Sequence, residues 1–342
     1  MKIFVTGATG FIGSHLTRRL NKLGYKVTAY VRKGSCLKYL PKKGIKIAYG
    51  DIKDADCLCK TVKGFDVVFH NAGLVSDWAK KDAFYQTNLE GTKNILKAIK
   101  NNNIKRLFVT STTAVLGEEN CLLAKNEDSP YRPRINYSFS SLFESGMNHY
   151  RISKMLAEKE AIKFCQKYHI DLTVIRPTWV YGPREFGAGP FSFCKAVLDG
   201  VPLLPIGKTN RFHVVYVEDL ITAFVLALEK NLTGVNIFII GSLKAPLLRQ
   251  YLTLFCRNLN KKMPQTLPEI FFQPLGLSLE AIYKLFGIKQ APLLTRARIK
   301  MFYCNNIYDT SNACEKLNFS AATPLETGIK KTVRWWKLNK YL

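Results

Sequence analysis

The chain has 342 residues, 47% of them hydrophobic, so it can bury the core of one large domain and a smaller second one. No run of about eighteen uncharged apolar residues occurs, which argues against a membrane-spanning helix. Lys and Arg number 51 against 25 Asp and Glu, and the net charge of +26 should attract polyanions.

Cysteine usage and the N-terminus bear on the cell compartment. The nine cysteines are scattered, and the close pair Cys57 and Cys59 has no second pair at zinc-binding spacing. The first predicted strand begins directly after Met1, which leaves no room for a leader peptide. We therefore expect a reduced, cytoplasmic protein without disulfides or a metal site.

Short apolar runs alternate with amphipathic segments of helical length over the first two thirds of the chain. Strict alternation of strand and helix indicates crossover connections and a parallel sheet covered on both faces. The predicted fold class is therefore α/β, a Rossmann-type doubly wound parallel sheet. Strands are predicted at 2–6, 26–31, 45–49, 66–70, 104–110 and 170–176, and helices near 11–24, 54–63, 81–102 and 150–169.

After Pro177 glycine and proline become frequent and the alternation loosens, so we place a domain boundary there. Residues 1–177 are predicted to form a dinucleotide-binding domain and residues 178–342 a smaller, mostly helical substrate-binding part. Within the latter, 212–240 is predicted to return to the sheet through a helix and a strand. The apolar stretch 271–286 is predicted to pack as a cap, to line an apolar pocket or to touch a membrane surface. It is not predicted to span a membrane, because Glu280 and Lys284 are incompatible with a spanning helix.

A glycine-rich turn, Thr6–Gly13, follows the apolar run at the N-terminus. Gly7 and Gly10 allow a tight turn that brings backbone N–H groups against a pyrophosphate, and Gly13 allows close packing of helix on strand. The helix that follows directs its positive end at the phosphates. This segment predicts a nucleotide-phosphate site.

Tyr150 and Lys154 are four residues apart on a predicted helix, so they share one face. A nearby ammonium group favours the phenolate and is expected to lower the tyrosine pKa, which suits an acid-base role. Hydroxyl side chains at Thr110–Thr113 end the strand 104–110, at the edge of the sheet where such folds bind ligands.

Together these motifs resemble the extended short-chain dehydrogenase/reductase superfamily, which includes epimerase/dehydratases, dihydroflavonol reductases and 3β-hydroxysteroid dehydrogenases. The resemblance runs nearly the whole length of the chain. It also includes Gly50-Asp51-Ile52, His70–Gly73, Asn88–Thr92, Arg176-Pro177, Val180–Arg184 and Val217–Asp219.

The resemblance implies a role for each matching residue. Tyr150 would be the catalytic acid/base, Lys154 its pKa modulator and a ribose ligand, and Thr112 would stand where the family has its catalytic serine, with Ser111 as the alternative. Asp51 and Ile52 would contact the adenine. The full cofactor set so implied is Gly7, Thr9, Gly10, Phe11, Ile12, Gly13, Arg32, Asp51, Ile52, Ala72, Gly73, Tyr150, Lys154 and Pro177.

One departure from the family bears on the cofactor. Members that prefer NAD usually have an acidic residue at the end of the second strand, where this chain has Arg32. An acid would repel a 2′-phosphate, whereas a guanidinium can bind one. We therefore predict NADP, with NAD as the alternative.

A second departure is the long segment from Gly117 to Tyr150, which is predicted to shape the substrate pocket. His149 could tune Tyr150, but adjacent helical positions face different ways. His70 and His213 are predicted to be structural.

The leading hypothesis is an NADP-dependent oxidoreductase that moves a hydride between nicotinamide and a secondary alcohol or ketone of a bulky, partly apolar substrate. The alternative is a nucleotide-sugar epimerase or dehydratase with tightly bound NAD(P), in which Arg184 and Arg211 serve a substrate pyrophosphate. A remote alternative is an RNA-binding protein on a dehydrogenase scaffold. Expected partners are a small-molecule substrate, a second copy through the Tyr150 helix as is usual in the family, and an anionic membrane surface, but not nucleic acid.

Overall fold

A central sheet of seven parallel strands organises the molecule. The computed structural model describes residues 1–117, 123–140, 144–187 and 189–342. The strand order is β3-β2-β1-β4-β5-β6-β9, and the predicted doubly wound Rossmann-type fold is confirmed. These strands are β1 Lys2–Thr6, β2 Lys26–Val31, β3 Ile45–Tyr49, β4 Val67–His70, β5 Arg106–Thr110, β6 Asp171–Pro177 and β9 Val235–Ile240.

Helices cover both faces of this sheet. The helices are α1 Phe11–Lys22, α2 Ala55–Thr61, α3 Lys81–Phe84, α4 Gly91–Asn101, α5 Gly146–Tyr168, α6 Pro190–Leu198, α7 Val217–Glu229, α8 Leu248–Asn258, α9 Glu269–Leu285, α10 Arg296–Tyr303, α11 Ser311–Leu317 and α12 Leu325–Leu338. Successive residues of β1 face opposite sides, so Ile3 and Val5 belong to one core cluster and Phe4 to another. Both faces are buried, which is why the strands read as continuous apolar runs.

Two helices differ from their predicted bounds. Helix α5 begins at Gly146, a turn earlier than predicted, because the Ser145 side chain caps it by accepting from Met147 N. Tyr150 therefore lies in the second turn. The helix predicted at 81–102 contains a π-helical segment, Tyr85–Glu90, between α3 and α4.

The π-helical segment places Asn88 inside the structure. The Asn88 amide donates to Leu74 O (3.1 Å) and to Ser153 Oγ (2.9 Å), and its oxygen accepts from Leu74 N (2.7 Å). These bonds tie the loop after β4 to α5. Asn88 thereby fixes one wall of the site described below.

The C-terminal part contributes the edge strand β9 and a separate two-stranded sheet. Strands β7 Trp179–Tyr181 and β8 Val214–Tyr216, absent from the sequence-based prediction, form a separate parallel pair. Strand β9 returns beside β6. The division at residue 177 remains a prediction, and of the long segment before Tyr150, residues 118–122 and 141–143 lie outside the described residues. Over the described ranges, no helix is both long and apolar enough to cross a membrane.

Candidate active site

The glycine-rich turn lies at the carboxyl end of β1, where the strand order reverses between β1 and β4. Gly7 has φ +64°, and a Cβ on it would lie 2.6 Å from Ala72 N. A Cβ on Gly13 would lie 2.1 Å from Gly7 O. Side chains at either position would therefore break the contact between the turn, α1 and the loop after β4.

The start of α1 suits a bound anion. Gly10 is its N-cap, no described side chain caps it, and its first turn contains no acidic residue. The N–H groups of such a turn and the positive end of the helix dipole favour phosphate oxygens. With the glycine cradle, the residues present fit the pyrophosphate of a dinucleotide.

Hydroxyl side chains at the end of β5 form the next part of the site. Thr112 Oγ1 accepts from Ala114 N at 3.2 Å, and the Thr112 hydroxyl is close enough to the Tyr150 phenol to lower its pKa. The Ser111 hydroxyl instead donates to the Glu158 carboxylate. The two candidates for the catalytic hydroxyl are thus distinguished, since Thr112 acts on the Tyr150 phenol and Ser111 is bonded to Glu158.

The Tyr150 phenol is held in its protonated form. Burial raises its pKa, and the Thr112 hydrogen bond and the Arg151 charge lower it by less. This net direction is opposite to the lowered pKa expected from Lys154. The physical reason is that desolvation penalises the phenolate more than those two contacts stabilise it.

Lys154 follows Tyr150 by one turn of α5 and is buried. Its Nζ donates to Thr110 O at 2.6 Å. Burial lowers its pKa to about 8, and the Glu158 carboxylate acts in the opposite direction. The ammonium group is thereby held beneath the carboxyl end of β5.

A buried ion pair supports this wall. Arg176 on β6 donates from Nη2 to Glu158 Oε1 at 2.6 Å, and neither side chain is more than 1% exposed. Glu158 also accepts from the Tyr131 hydroxyl at 2.7 Å. The pair links α5, β5 and β6, and sequence reasoning did not find Glu158, although its position four residues after Lys154 on one helical face was a usable signal.

His70 at the end of β4 is structural, in agreement with its predicted role. Thr92 donates to Asn88 O (2.6 Å), so it accepts from His70 Nε2 (3.0 Å). The other ring nitrogen then accepts from Thr6 Oγ1 (2.9 Å), and that oxygen accepts from Ala72 N (3.2 Å). Burial lowers the His70 pKa to about 3, so the ring stays neutral.

These elements surround a cavity of about 410 Å³ that runs from the glycine turn to the C-terminal part. It is lined by the predicted site residues Gly7, Gly10, Phe11, Ile12, Gly13, Gly73, Ser111, Thr112, Tyr150, Lys154 and Pro177. Thr9, Arg32, Asp51, Ile52 and Ala72 lie outside its lining. The cavity thus brings the catalytic candidates and the phosphate cradle together.

The predicted residues outside the cavity lie near the first strands. Arg32 is exposed just beyond β2, and since Thr6 pairs with Tyr30, it shares the sheet edge of the glycine turn. Asp51 accepts from Lys53 N through Oδ1 (3.0 Å), and Ile52 is buried against Gly91.

The far end of the cavity lies in the part predicted to bind substrate, but its lining residues were not predicted individually. Asn71, whose Oδ1 accepts from Thr110 Oγ1, lines the middle, and its buried Nδ2 has no partner among the described residues. Trp179, Phe212 and Tyr308 line the distal end. They are brought together by β7, β8 and a loop near residue 306, which no local motif indicates.

His213 also lines the cavity, and its contacts are structural. Its Nε2 lies 2.6 Å from Ser242 O and its Nδ1 accepts from Tyr308 N at 3.3 Å. Burial lowers its pKa, so the ring is neutral and supports the cavity wall through these two contacts. No cluster of three or more metal-ligating side chains occurs within the described part of the chain.

Comparison with known proteins agrees with this geometry. The model of the "NAD dependent epimerase/dehydratase family" matches residues 3–241. The 2-alkyl-3-oxoalkanoate reductase of Shewanella oneidensis is 28% identical over 96% of this chain and 84% of that protein. The 3beta-hydroxysteroid-dehydrogenase/decarboxylase isoform 1 of Arabidopsis thaliana is 25% identical over 96% of this chain and 78% of that protein.

Among solved structures, the UDP-glucose 4-epimerase of Thermotoga maritima with UDP-glucose superposes with a TM-score of 0.77. The two sequences are 24% identical, and the match covers 99% of this chain and all of that one. At this identity the likeness concerns the fold.

Proposed function

Because the chain belongs to the NAD dependent epimerase/dehydratase family and is an NAD(P)-dependent enzyme of the oxidoreductase or epimerase type, we propose that it is an NADP-dependent oxidoreductase. Its substrate is a secondary alcohol or ketone of a bulky, partly apolar molecule. One observation carries this proposal: Thr112 and Tyr150 lie together in the wall of the cavity that also contains the glycine cradle.

Each part of the site has a distinct role in this reaction. NADP(H), when bound, supplies or accepts the hydride. The glycine cradle and the start of α1 hold the pyrophosphate, and Lys154 holds the ribose. Thr112 and Tyr150 bind the substrate oxygen from one side, which fixes the carbonyl group in one orientation.

The protonation state of Tyr150 suits reduction of a ketone. Since burial raises its pKa above the ordinary value of about 10, the phenol is protonated at neutral pH. It can donate that proton to the substrate oxygen as negative charge develops there. Thr112 donates a second hydrogen bond to the same oxygen.

We further propose that Arg32 selects NADP over NAD by binding the 2′-phosphate. Arg32→Glu should reverse the preference, because a carboxylate repels that phosphate and accepts from the ribose hydroxyls of NAD. We expect the ratio of kcat/KM for NADPH and NADH to fall by about 100-fold, the size of two charge-assisted contacts. Lys33→Glu is the neighbouring control, and a tenfold preference of the unaltered protein for NADH would contradict the assignment.

A nucleotide-sugar epimerase is the second candidate, favoured by the fold shared with the UDP-glucose 4-epimerase. Arg184 and Arg211, assigned to a substrate pyrophosphate in that hypothesis, do not line the cavity. Arg184 Nε donates to His15 Nε2 (3.1 Å) and Arg211 Nη1 to Ala245 O (2.9 Å). An epimerase would keep one cofactor through each turnover, whereas the proposed oxidoreductase exchanges it, so cofactor retention on purification separates the two.

The remaining partner assignments are also proposals. A homodimer through α5 is supported by the family resemblance and by half-buried apolar side chains on that helix, such as Ile152, Leu156 and Ile162. A cytoplasmic location rests on the sequence alone. Contact with an anionic membrane is supported by α9 and the net charge of +26.

Helix α9 has an exposed apolar stripe that suits a bilayer surface. Phe271, Leu275, Ile282 and Leu285 are 63%, 47%, 47% and 81% exposed, and their spacing places them along one side of the helix. The opposite side is anchored by the buried pair of Glu280 and Arg296 (2.8 Å). This helix is the membrane-contacting element in our proposal.

The double substitution Phe271→Gln with Leu285→Gln should weaken binding to vesicles that contain phosphatidylglycerol. We expect about a 30-fold loss of partitioning, since two large apolar side chains no longer leave water. Leu338→Gln, at a side chain that is 71% exposed on α12, is the matched control and should have no effect. Equal sedimentation of all three proteins with the vesicles would rule out α9 as the contact.

A further inference from the structure

A second cavity, of about 320 Å³, lies in the C-terminal part beside the catalytic cavity. Helices α6, α8, α9 and α10 and the segment 201–206 form its walls. The lining is almost wholly aliphatic or aromatic and includes Leu203, Leu204, Ile206, Leu252, Phe272 and Phe302. A cavity of this composition favours an apolar ligand.

The two cavities are neighbours with common walls. Trp179, Gly189 and Phe212 line both of them. The Trp179 and Phe212 rings pack edge to face, with centroids 5.1 Å apart. The two cavities are therefore adjacent, and a molecule that occupied both would pass beside these rings, with its reacting group at Thr112 and Tyr150.

The charges of the second cavity argue against a nucleotide there. Arg298 is the charged side chain in its lining, and its guanidinium is already paired with the Asp77 carboxylate (Nε to Oδ2, 2.9 Å). A diphosphate placed in this cavity would lose its hydration without gaining a free cation. An alkyl chain loses nothing by the transfer and is stabilised by it.

The volume sets the length of such a chain. A cavity of about 150 Å³ holds benzene, so twice that volume has room for roughly a dozen carbon atoms. Leu275 on α9 lines the cavity and is also 47% exposed. The rim therefore lies at the exposed apolar stripe of α9, which gives a chain an apolar route of entry.

We propose that the substrate is a ketone, or the corresponding alcohol, carried on an alkyl chain of roughly ten carbons that lies in this second cavity. This inference rests on the proposed oxidoreductase function and names the substrate class for it. Reduction adds the hydride of NADPH to the carbonyl carbon and the phenol proton of Tyr150 to the oxygen. It leaves NADP⁺, the secondary alcohol and a Tyr150 phenolate, which regains its proton from solvent before the next turnover.

Chain length is the first variable to test. For straight-chain 3-oxo acid ethyl esters with NADPH, we expect KM to fall about fourfold for each added methylene. The fall should stop once the cavity is full, and kcat should change little, because the added carbons bind equally in the ground state and the transition state. A KM that does not depend on chain length would overturn the inference.

Variants of α6 distinguish the loss of space in the second cavity from general effects on the fold. Ala196→Phe places a ring in the cavity and should abolish the dependence on chain length while short esters are still reduced. Leu198→Phe adds a similar ring on the same helix at an exposed side chain outside the lining, and it should behave as the unaltered protein does. If Ala196→Phe does not fold, Leu275→Trp at the rim of the cavity provides the same test.

Binding of n-decanol as the probe, followed by isothermal titration calorimetry without NADPH, gives a readout independent of catalysis. We expect saturable binding that Ala196→Phe weakens at least tenfold and Leu198→Phe leaves unchanged. If the probe binds in this way and no ketone is reduced, the proposed function fails and the cavity assignment stands. If short ketones are reduced but the probe does not bind, the cavity assignment fails alone.

Discussion

Replacing Tyr150 by phenylalanine should lower kcat for ketone reduction by about 10²- to 10⁴-fold, the usual contribution of a positioned general acid. The ring and its packing remain, and only the hydroxyl that lies beside Thr112 in the cavity wall and donates the proton is lost. Affinity for NADPH should change less than threefold, since the cradle and Lys154 are intact. Stopped-flow measurement of NADPH oxidation under single-turnover conditions checks the chemical step.

Tyr168→Phe is the matched control for that experiment. Tyr168 ends the same helix, and its ring packs against Phe164 and the Lys100 ammonium, away from the cavity. This variant should retain full activity. If Tyr150→Phe kept more than a tenth of the original kcat, Tyr150 would not be the proton donor.

The largest expected loss of stability comes from Glu158→Gln. The substitution keeps the shape of the side chain but leaves the Arg176 guanidinium buried without its counter-charge, and the hydroxyls of Ser111 and Tyr131 lose a carboxylate acceptor. Breaking a buried ion pair in this way costs about 3–5 kcal/mol. Urea denaturation should therefore show a lower midpoint at an unchanged slope.

Glu160→Gln lies two residues along on the same helix and is the control. The Glu160 side chain is half-buried, and the change in the free energy of unfolding should stay within about 0.5 kcal/mol. Pairing Glu158→Gln with Arg176→Met measures the coupling energy of the two side chains. The double variant should lose less stability than the sum of the losses of the two single variants. A loss below about 1 kcal/mol for Glu158→Gln alone would show that the pair is not a support of the site.

Most of the sheet could be predicted because its central strands are buried on both faces. Continuous apolar runs such as Ile3–Val5 and Val67–Phe69 follow directly from that burial. The strands β7 and β8 have three residues each and pair with each other, so no periodicity reveals them. The π-helical segment depends on the bonds of Asn88 to Leu74 and Ser153, which are tertiary contacts.

The catalytic candidates could be predicted for a related reason. Tyr150 and Lys154 are fixed relative to each other by one helix, and the glycine turn by one strand-to-helix connection. The Glu158–Arg176 pair and the distal end of the cavity join elements far apart in the chain. The predicted direction of the Tyr150 pKa shift was wrong for the same reason, since the shift depends on how deeply the folded protein buries the phenol.

The most direct test of the central claim is to follow the hydride itself. NADPH that carries deuterium at the transferring position of nicotinamide C4 should be incubated with the protein and a long-chain 3-oxo ester, and the product analysed by mass spectrometry. We expect one deuterium on the carbinol carbon of a released secondary alcohol, with free NADP⁺ formed in equal amount. Deuterium that stays on a cofactor retained by the protein, with no labelled alcohol, would contradict the assignment.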